Sequence, residues 1–293
     1  MTARSAVLAI INPLSGTTSV AQKARLRDMF LRRADTLGYA AEAVFTTHPG
    51  HATELASAAL QQGVSRVFAI GGDGTINETA QAIRRSATSL GIVPIGSGNG
   101  LARHLGIPLH PANAIERALN GRPVVIDSGE INEHPFFCTA GLGFEAYVAH
   151  AFAKQPVRGL PTYVRTAFNA FWAYQPGRFL LNGHEEKELF SLTFANAGQF
   201  GNNAWMAPTA NIADGYLEQC EMRRFPIQVA GLLAWQLFNK TLNRSAYWQG
   251  QSIKKATVQT EGPLLIHADG EPLTLPSGQA EVRILPGSLL VLL

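Results

Sequence analysis

At 293 residues the chain is long enough for one large domain or two of ordinary size, each able to bury a core. Charged residues make up 15% and apolar ones 46%, which excludes a disordered chain, and no run approaches the roughly 18 apolar residues of a membrane span. The net charge of +3 suits an anionic membrane surface or a phosphorylated substrate without requiring either.

The apolar run Ala6 to Ile11 is too short for the core of a signal peptide. Cys138 and Cys220 lie in apolar segments with no metal-ligand spacing, so they read as reduced core residues. The expected address is cytoplasmic, with at most peripheral contact at the inner membrane face.

Up to about residue 127 the pattern alternates strand and helix. Val7–Ile11, Ala43–Thr46, Val67–Ile70 and Gly91–Ile95 read as strands. Between and after them lie helices at Val20–Leu37, Thr53–Gln62, from Ile76, around Leu101–Leu105 and at Ala112–Leu119. Such alternation implies a parallel sheet covered by helices on both faces, with ligands collecting at the carboxyl ends of the strands.

The third strand runs straight into Gly71-Gly72-Asp73-Gly74-Thr75 and a helix carrying Asn77 and Glu78. Glycines let the backbone turn sharply and approach a ligand, and amides at a helix N-terminus cradle phosphate. The carboxylate of Asp73 would repel phosphate unless a cation bridged them, so the turn points to a nucleotide with Mg2+. The plainer alternative is a glycine-rich turn in which Asp73 caps the helix. Three other strand ends carry similar chemistry: Asn12-Pro13-Leu14-Ser15-Gly16, Thr46-Thr47-His48, and Gly96-Ser97-Gly98-Asn99-Gly100. His48 and His51 read as solvated loop histidines.

After Asp127 the segments Phe136–Ala140, Leu189–Ala195, Tyr216–Glu221, Ala256–Gln259, Leu264–His267, Val282–Leu285 and Leu289–Leu292 read as strands broken by Pro and Gly. This predicts an α/β domain over residues 1–127 followed by a β-sandwich domain over 128–293 with helical insertions, the last strands free to pack back on the first domain. The insertions are Pro161–Tyr174, with Arg158 and Arg165 nearby, and Pro226–Leu242. Both are apolar enough to be core helices, or else the walls of a lipid groove or an interfacial surface.

Two acidic turns stand out in this half. Asp214 lies in Asn211-Ile212-Ala213-Asp214-Gly215-Tyr216, where one carboxylate with neighbouring carbonyls suits Mg2+ as well as it suits a plain Asp-Gly turn. Asp269-Gly270-Glu271 follows an apolar strand. The pair could position a cation and accept a hydroxyl proton during phosphoryl transfer, or simply close a hairpin. Glu145, at the start of a helical stretch, reads as a surface acid or one facing an acceptor.

In order along the chain, NPLSG, GGDGT with Asn77-Glu78, PIGSGNGLAR, NAGQFGNNAWMAPTANIADGYLE and HADGEPL resemble the diacylglycerol kinase catalytic superfamily. That family includes bacterial soluble lipid kinases and the sphingosine and ceramide kinases, and is similar in fold to NAD kinases. The resemblance spans Ile10 to Leu273. It implies ATP and a lipid headgroup meeting between an α/β domain and a β-sandwich domain. Asn12, Ser15, Gly16, Thr46, Gly71, Gly72, Asp73, Gly74, Thr75, Glu78, Gly96, Ser97 and Asn99 fall on the nucleotide side. Asn211, Asp214 and Tyr216 match a Mg2+ site in which the first and last give main-chain oxygen. Glu271 matches the proton acceptor of bacterial members, with Asp269 beside it, whereas other branches give that role to the GGDG aspartate, leaving Asp73 a rival base. Gly100 stands where many bacterial diacylglycerol kinases have an acid after the asparagine, a form nearer the sphingosine-kinase branch.

The resemblance therefore implies an ATP-dependent lipid kinase acting on diacylglycerol or a long-chain base, with a lipid at a membrane surface as partner and no nucleic acid. Homodimerisation stays open. The alternatives are an NAD kinase and a non-catalytic lipid-binding protein of the same fold.

Overall fold

The computed structural model describes residues 4–16, 19–156 and 159–293, so Arg158 lies outside the described residues. Contacts between Cα atoms divide the chain into two compact units, Met1–Ile126 with Gly287–Leu293, and Asp127–Pro286.

The first unit contains β1 (Ala6–Ile11), α1 (Val20–Thr36), β2 (Ala40–Phe45), α2 (His51–Gln61), β3 (Arg66–Gly71), α3 (Asp73–Ile83), β4 (Ser89–Pro94), α4 (Gly100–His104) and α5 (Pro111–Asn120). Its strands are parallel in the order β2-β1-β3-β4. Beyond Ala6 and Arg66 at their starts the central pair is apolar and buried, with Ile10, Ile11, Phe68 and Ile70 all at 0% exposure, as a sheet covered on both faces requires. Helices α1 and α5 pack together, as do α2 and α3. A capping box starts α1: the Gln22 amide donates to Ser19 Oγ at 3.3 Å and the Ser19 amide to Gln22 Oε1 at 2.9 Å. Because β2 lies on one side of β1 and β3 on the other, the chain reverses direction across the sheet between β1 and β3. The crevice that such a switch point opens lies at their carboxyl ends.

The second unit follows through β5 (Pro123–Ile131), β6 (His134–Phe136), β7 (Thr139–Gly143), α6 (Phe144–Ala153), α7 (Leu160–Ala173), β8 (Gly177–Leu181), β9 (Glu185–Leu189), β10 (Ser191–Ala195) and β11 (Leu217–Met222). Then come α8 (Ala230–Phe238), β12 (Trp248–Ile253), β13 (Lys255–Gln259), β14 (Leu264–Ala268), β15 (Glu271–Leu275) and β16 (Gln279–Leu292). One antiparallel sheet has the order β12-β11-β10-β7-β14-β15, and the first half of β16 pairs with β13, which continues to β8 and β9. Phe194, Leu142 and Ile266 from the first sheet and Val258, Leu181 and Val282 from the second share one core, so this half is a sandwich. The chain crosses between units inside β5 and again inside β16, and Leu290 and Val291 pair with β4 in the first unit.

Several expected elements differ. The stretch Val282–Leu285 and Leu289–Leu292 is a single strand of 14 residues, β16. Phe136–Ala140 is divided between β6 and β7. Pro226–Leu242 is no single helix: a 3-10 turn at Ile227–Val229 leads into α8, which ends where Lys240 adopts φ 57°. Nor are the insertions core helices. On α7 Val164, Phe168 and Trp172 are exposed, and on and beside α8 Ile227, Leu232, Trp235 and Phe238 are.

Candidate functional site

In the first unit, three glycine turns interlock above the carboxyl ends of β1, β3 and β4. The turn after β1 reaches that after β3 through its side chains: Asn12 Nδ2 donates to Thr75 Oγ1 at 3.0 Å, and the Gly72 amide donates to Ser15 Oγ at 3.1 Å. Two glycines are fixed by close approach. Gly16 holds φ 64°, and a Cβ there would drive into the Ile95 carbonyl; a Cβ on Gly96 would come within 2.6 Å of Gly72 Cα. Gly71 packs its Cα against the buried Thr75 side chain. Gly74, in the first turn of α3, is exposed, as is Ser97.

Asp73 is not a bare carboxylate. Its Oδ2 accepts the Asn99 amide at 2.8 Å and its Oδ1 the Gly100 amide at 2.7 Å, so it pins the turn after β4 to the turn after β3. Asn99 is itself locked, in the left-handed region with φ 52°, by paired bonds between its side-chain amide and the Gly96 backbone. Glu78 caps α2: its two oxygens accept the Gly50 and Ala52 amides at 3.0 and 3.2 Å, where an anion is favoured. Thr46 is buried at the end of β2.

His48, on the loop before α2, and His51, the first residue of α2, stack at 4.7 Å, and with Glu54 they bring ligand-type atoms within 4.8 Å of one another. The His51 Nδ1 accepts the Thr47 amide at 3.0 Å, which puts the ring proton on Nε2 and leaves that ring poorly prepared for a metal.

In the second unit, Asp269 (φ 49°) and Gly270 (φ 85°) form a two-residue hairpin of the I′ kind between β14 and β15, with Ala268 opposite Glu271. The Asp269 carboxylate accepts the amides of Phe137, Cys138 and Thr139 at 2.8, 2.8 and 3.0 Å. That acid is an anchor. Glu271, the next acid, is exposed at the start of β15, and among the described residues its carboxylate has no hydrogen bond or ion pair.

The turn before β11 is also ordered by acids. The Tyr216 amide donates to Asp214 Oδ1 at 3.0 Å, the Ala213 amide to Asn211 Oδ1 at 3.2 Å, and the Gly215 amide to Asp127 Oδ2 at 2.7 Å. Asn211, Asp214 and Tyr216 are exposed. Partial burial raises the pKa of neighbouring Glu218 against the opposing pull of a Ser252 hydrogen bond, and the charge on Asp214 raises it further. A hard divalent ion with oxygen ligands fits that donor set.

Glu145 departs from the sequence reading. It is 8% exposed, held beneath α6 by a Thr193 hydroxyl donating to Oε1 at 2.7 Å, with His267 Nε2 3.5 Å from Oε2. Burial pushes its carboxyl pKa up, against the opposing pull of His267. Gly141 makes the room, since a Cβ there would strike Glu145 Oε1. Neither helical periodicity nor composition distinguishes this acid from a solvated one; only its fall on the sheet side of α6 does. Cys138 and Cys220 are buried and in no disulfide, and desolvation raises the Cys220 thiol well above its usual range, as expected of inert core thiols.

The helices α7 and α8 cover one aromatic cluster, in which Phe171 meets Phe190 and Phe225 with centroids 5.9 Å away in both cases. Their outer faces carry the exposed aromatics described above; Arg165 on α7, Arg223 and Arg224 shortly before α8 and Lys240 just after it are exposed too.

The model of the diacylglycerol kinase catalytic domain matches residues 6–131. A "Probable lipid kinase YegS-like" from Chromohalobacter salexigens is 31% identical over 255 residues, covering 83% of this chain and 81% of that protein. One of the same description from Pseudomonas putida is 30% identical over 253 residues, covering 84% and 83%. Among solved structures, a diacylglycerol kinase from Bacillus anthracis superposes with a TM-score of 0.73 at 18% identity, covering 100% of this chain and 98% of that one, and so shares the fold.

Proposed function

The chain belongs to the diacylglycerol kinase catalytic-domain family together with the YegS-like lipid kinases, and on that footing we propose that it transfers the γ-phosphate of ATP to a hydroxyl of diacylglycerol or a related lipid such as a long-chain base. The observation that carries the reading is the interlocking of the turns at Asn12–Gly16, Gly71–Thr75 and Gly96–Gly100 over the switch point of a parallel sheet. Bare glycine backbone at adjacent strand ends is what a polyphosphate needs to approach amides closely.

Phosphoryl transfer asks mainly for orientation and charge neutralisation. In this reading the three turns bind and orient the nucleotide, and Asp73 keeps two of them in register. Glu271, with its unengaged carboxylate, takes the proton of the acceptor hydroxyl, and Asp269 fixes the hairpin that presents it. Asn211 and Tyr216 through their carbonyls and Asp214 through its carboxylate would hold Mg2+, which neutralises charge when bound.

The acceptor lies in a membrane, and no helix among the described residues is long and apolar enough to cross one. The exposed Phe168, Trp172, Trp235 and Phe238 seat the protein in the interface instead, and the exposed arginines favour anionic lipid. Purified protein incubated with labelled ATP and mixed micelles of single lipids tests the assignment. Label in diacylglycerol or a long-chain base is expected. No labelled lipid despite ATP binding, or formation of NADP from NAD, would overturn it.

A further inference from the structure

Lys23 is a cation in an unfavourable place. It is 1% exposed, lies in the first turn of α1 where the helix dipole opposes positive charge, and that turn contains no acidic residue. Among the described residues no carboxylate pairs with it; its ammonium donates to the Pro13 carbonyl at 2.6 Å. Desolvation lowers its pKa and is the sole cause at work. Buried charges are ordinarily paired, because removing an ion from water costs more than one neutral hydrogen bond returns. The partner missing among the described residues is an anion.

The neighbouring structure says which anion. Pro13 belongs to the turn that Asn12 and Ser15 fasten to the Gly71–Thr75 turn and whose Gly16 rests on the Ile95 carbonyl. Lys23 is therefore tied to the turn that forms one wall of the proposed phosphate cradle. We infer that Lys23 is the fixed positive charge of the nucleotide site, shaping the Asn12–Gly16 turn through Pro13 and balancing the bound polyphosphate. The inference rests on the nucleotide reading given above and adds to it a residue that none of its motifs contains. Lys23 acts through the turn and through its field, so it is a positioning residue.

Two substitutions separate the tie from the charge. Lys23→Met keeps the shape and loses both; Lys23→Gln keeps a donor for Pro13 and loses only the charge. Binding of MgATP and of adenosine is measured by calorimetry for each, beside the thermal midpoint of the nucleotide-free protein. The expected result is MgATP affinity about tenfold weaker in both variants, with adenosine affinity unchanged. The nucleotide-free midpoint of Lys23→Met should be no lower than wild type, because a buried unpaired charge has been removed. A merely structural lysine would give the opposite: a lowered midpoint and equal losses for MgATP and adenosine. MgATP binding by Lys23→Gln within twofold of wild type would overturn the inference while leaving the kinase reading intact. Failure of the wild-type protein to bind MgATP at all would overturn both.

Discussion

The glycine turns of the first unit and the acidic hairpin of the second handle their carboxylates differently. In the first unit the backbone is the binding surface, and both prominent acids, Asp73 and Glu78, are engaged with amides that hold loops and helix starts in place. In the hairpin the two acids divide the work: Asp269 takes three amides, and Glu271, two residues on, takes none among the described residues. An acid in a glycine-rich turn is thus no sign of chemistry by itself. What separates an anchor from a reactive group is whether its lone pairs are already engaged.

That contrast can be broken at its strongest point by Asp269→Ala. Three amides lose a charged acceptor, and a loss of roughly 3 kcal/mol in unfolding free energy is expected, read by urea titration. A change below 0.5 kcal/mol would mean that Asp269 is no anchor. The matching cut in the first unit is Gly16→Ala, which places a methyl group against the Ile95 carbonyl at a positive φ. It should cost of the order of 2 kcal/mol and weaken MgATP binding more than it weakens lipid binding. Unchanged affinity would detach that turn from the nucleotide.

Glu145→Gln has a smaller effect that depends on pH. Burial raises the folded-state pKa of Glu145 above its ordinary 4.5, so its proton favours folding. That contribution is complete below the unfolded value and is lost as pH rises through the folded one. The variant should therefore gain thermal midpoint over wild type between pH 5 and pH 8; a gap that shrinks over that range contradicts the burial argument. Smallest in stability is Trp172→Ser, on an exposed face of α7. Unfolding free energy should move by less than about 0.5 kcal/mol while binding to anionic vesicles falls several-fold in a sedimentation assay.

The first unit was legible because its signals are local. Four apolar runs and the glycines after them reflect steric needs that almost no other residue meets, as Gly16 and Gly96 demonstrate. The sandwich was less so. Strand β9 reads Glu-Glu-Lys-Glu-Leu and β12 Trp-Gln-Gly-Gln-Ser-Ile, with too little apolar alternation to announce a strand. Their pairing comes from partners far away in sequence. Glu145 and Lys23 were illegible for a related reason: burial of a charge is decided by tertiary packing, and a charged letter on a helix predicts solvent. The engagement of Asp73 and Asp269 by amides likewise required coordinates, whereas the turns containing them did not.

The central claim is that the turns bind and the free hairpin acid reacts, and Glu271→Gln tests it most directly when MgATP affinity and the rate of label transfer to lipid are measured on the same preparation. The account predicts affinity within about twofold of wild type and a transfer rate reduced by about 10²–10⁴. Transfer at close to the wild-type rate, with Asp73→Asn inactive although it still binds MgATP, would contradict it and move the base to the glycine turn.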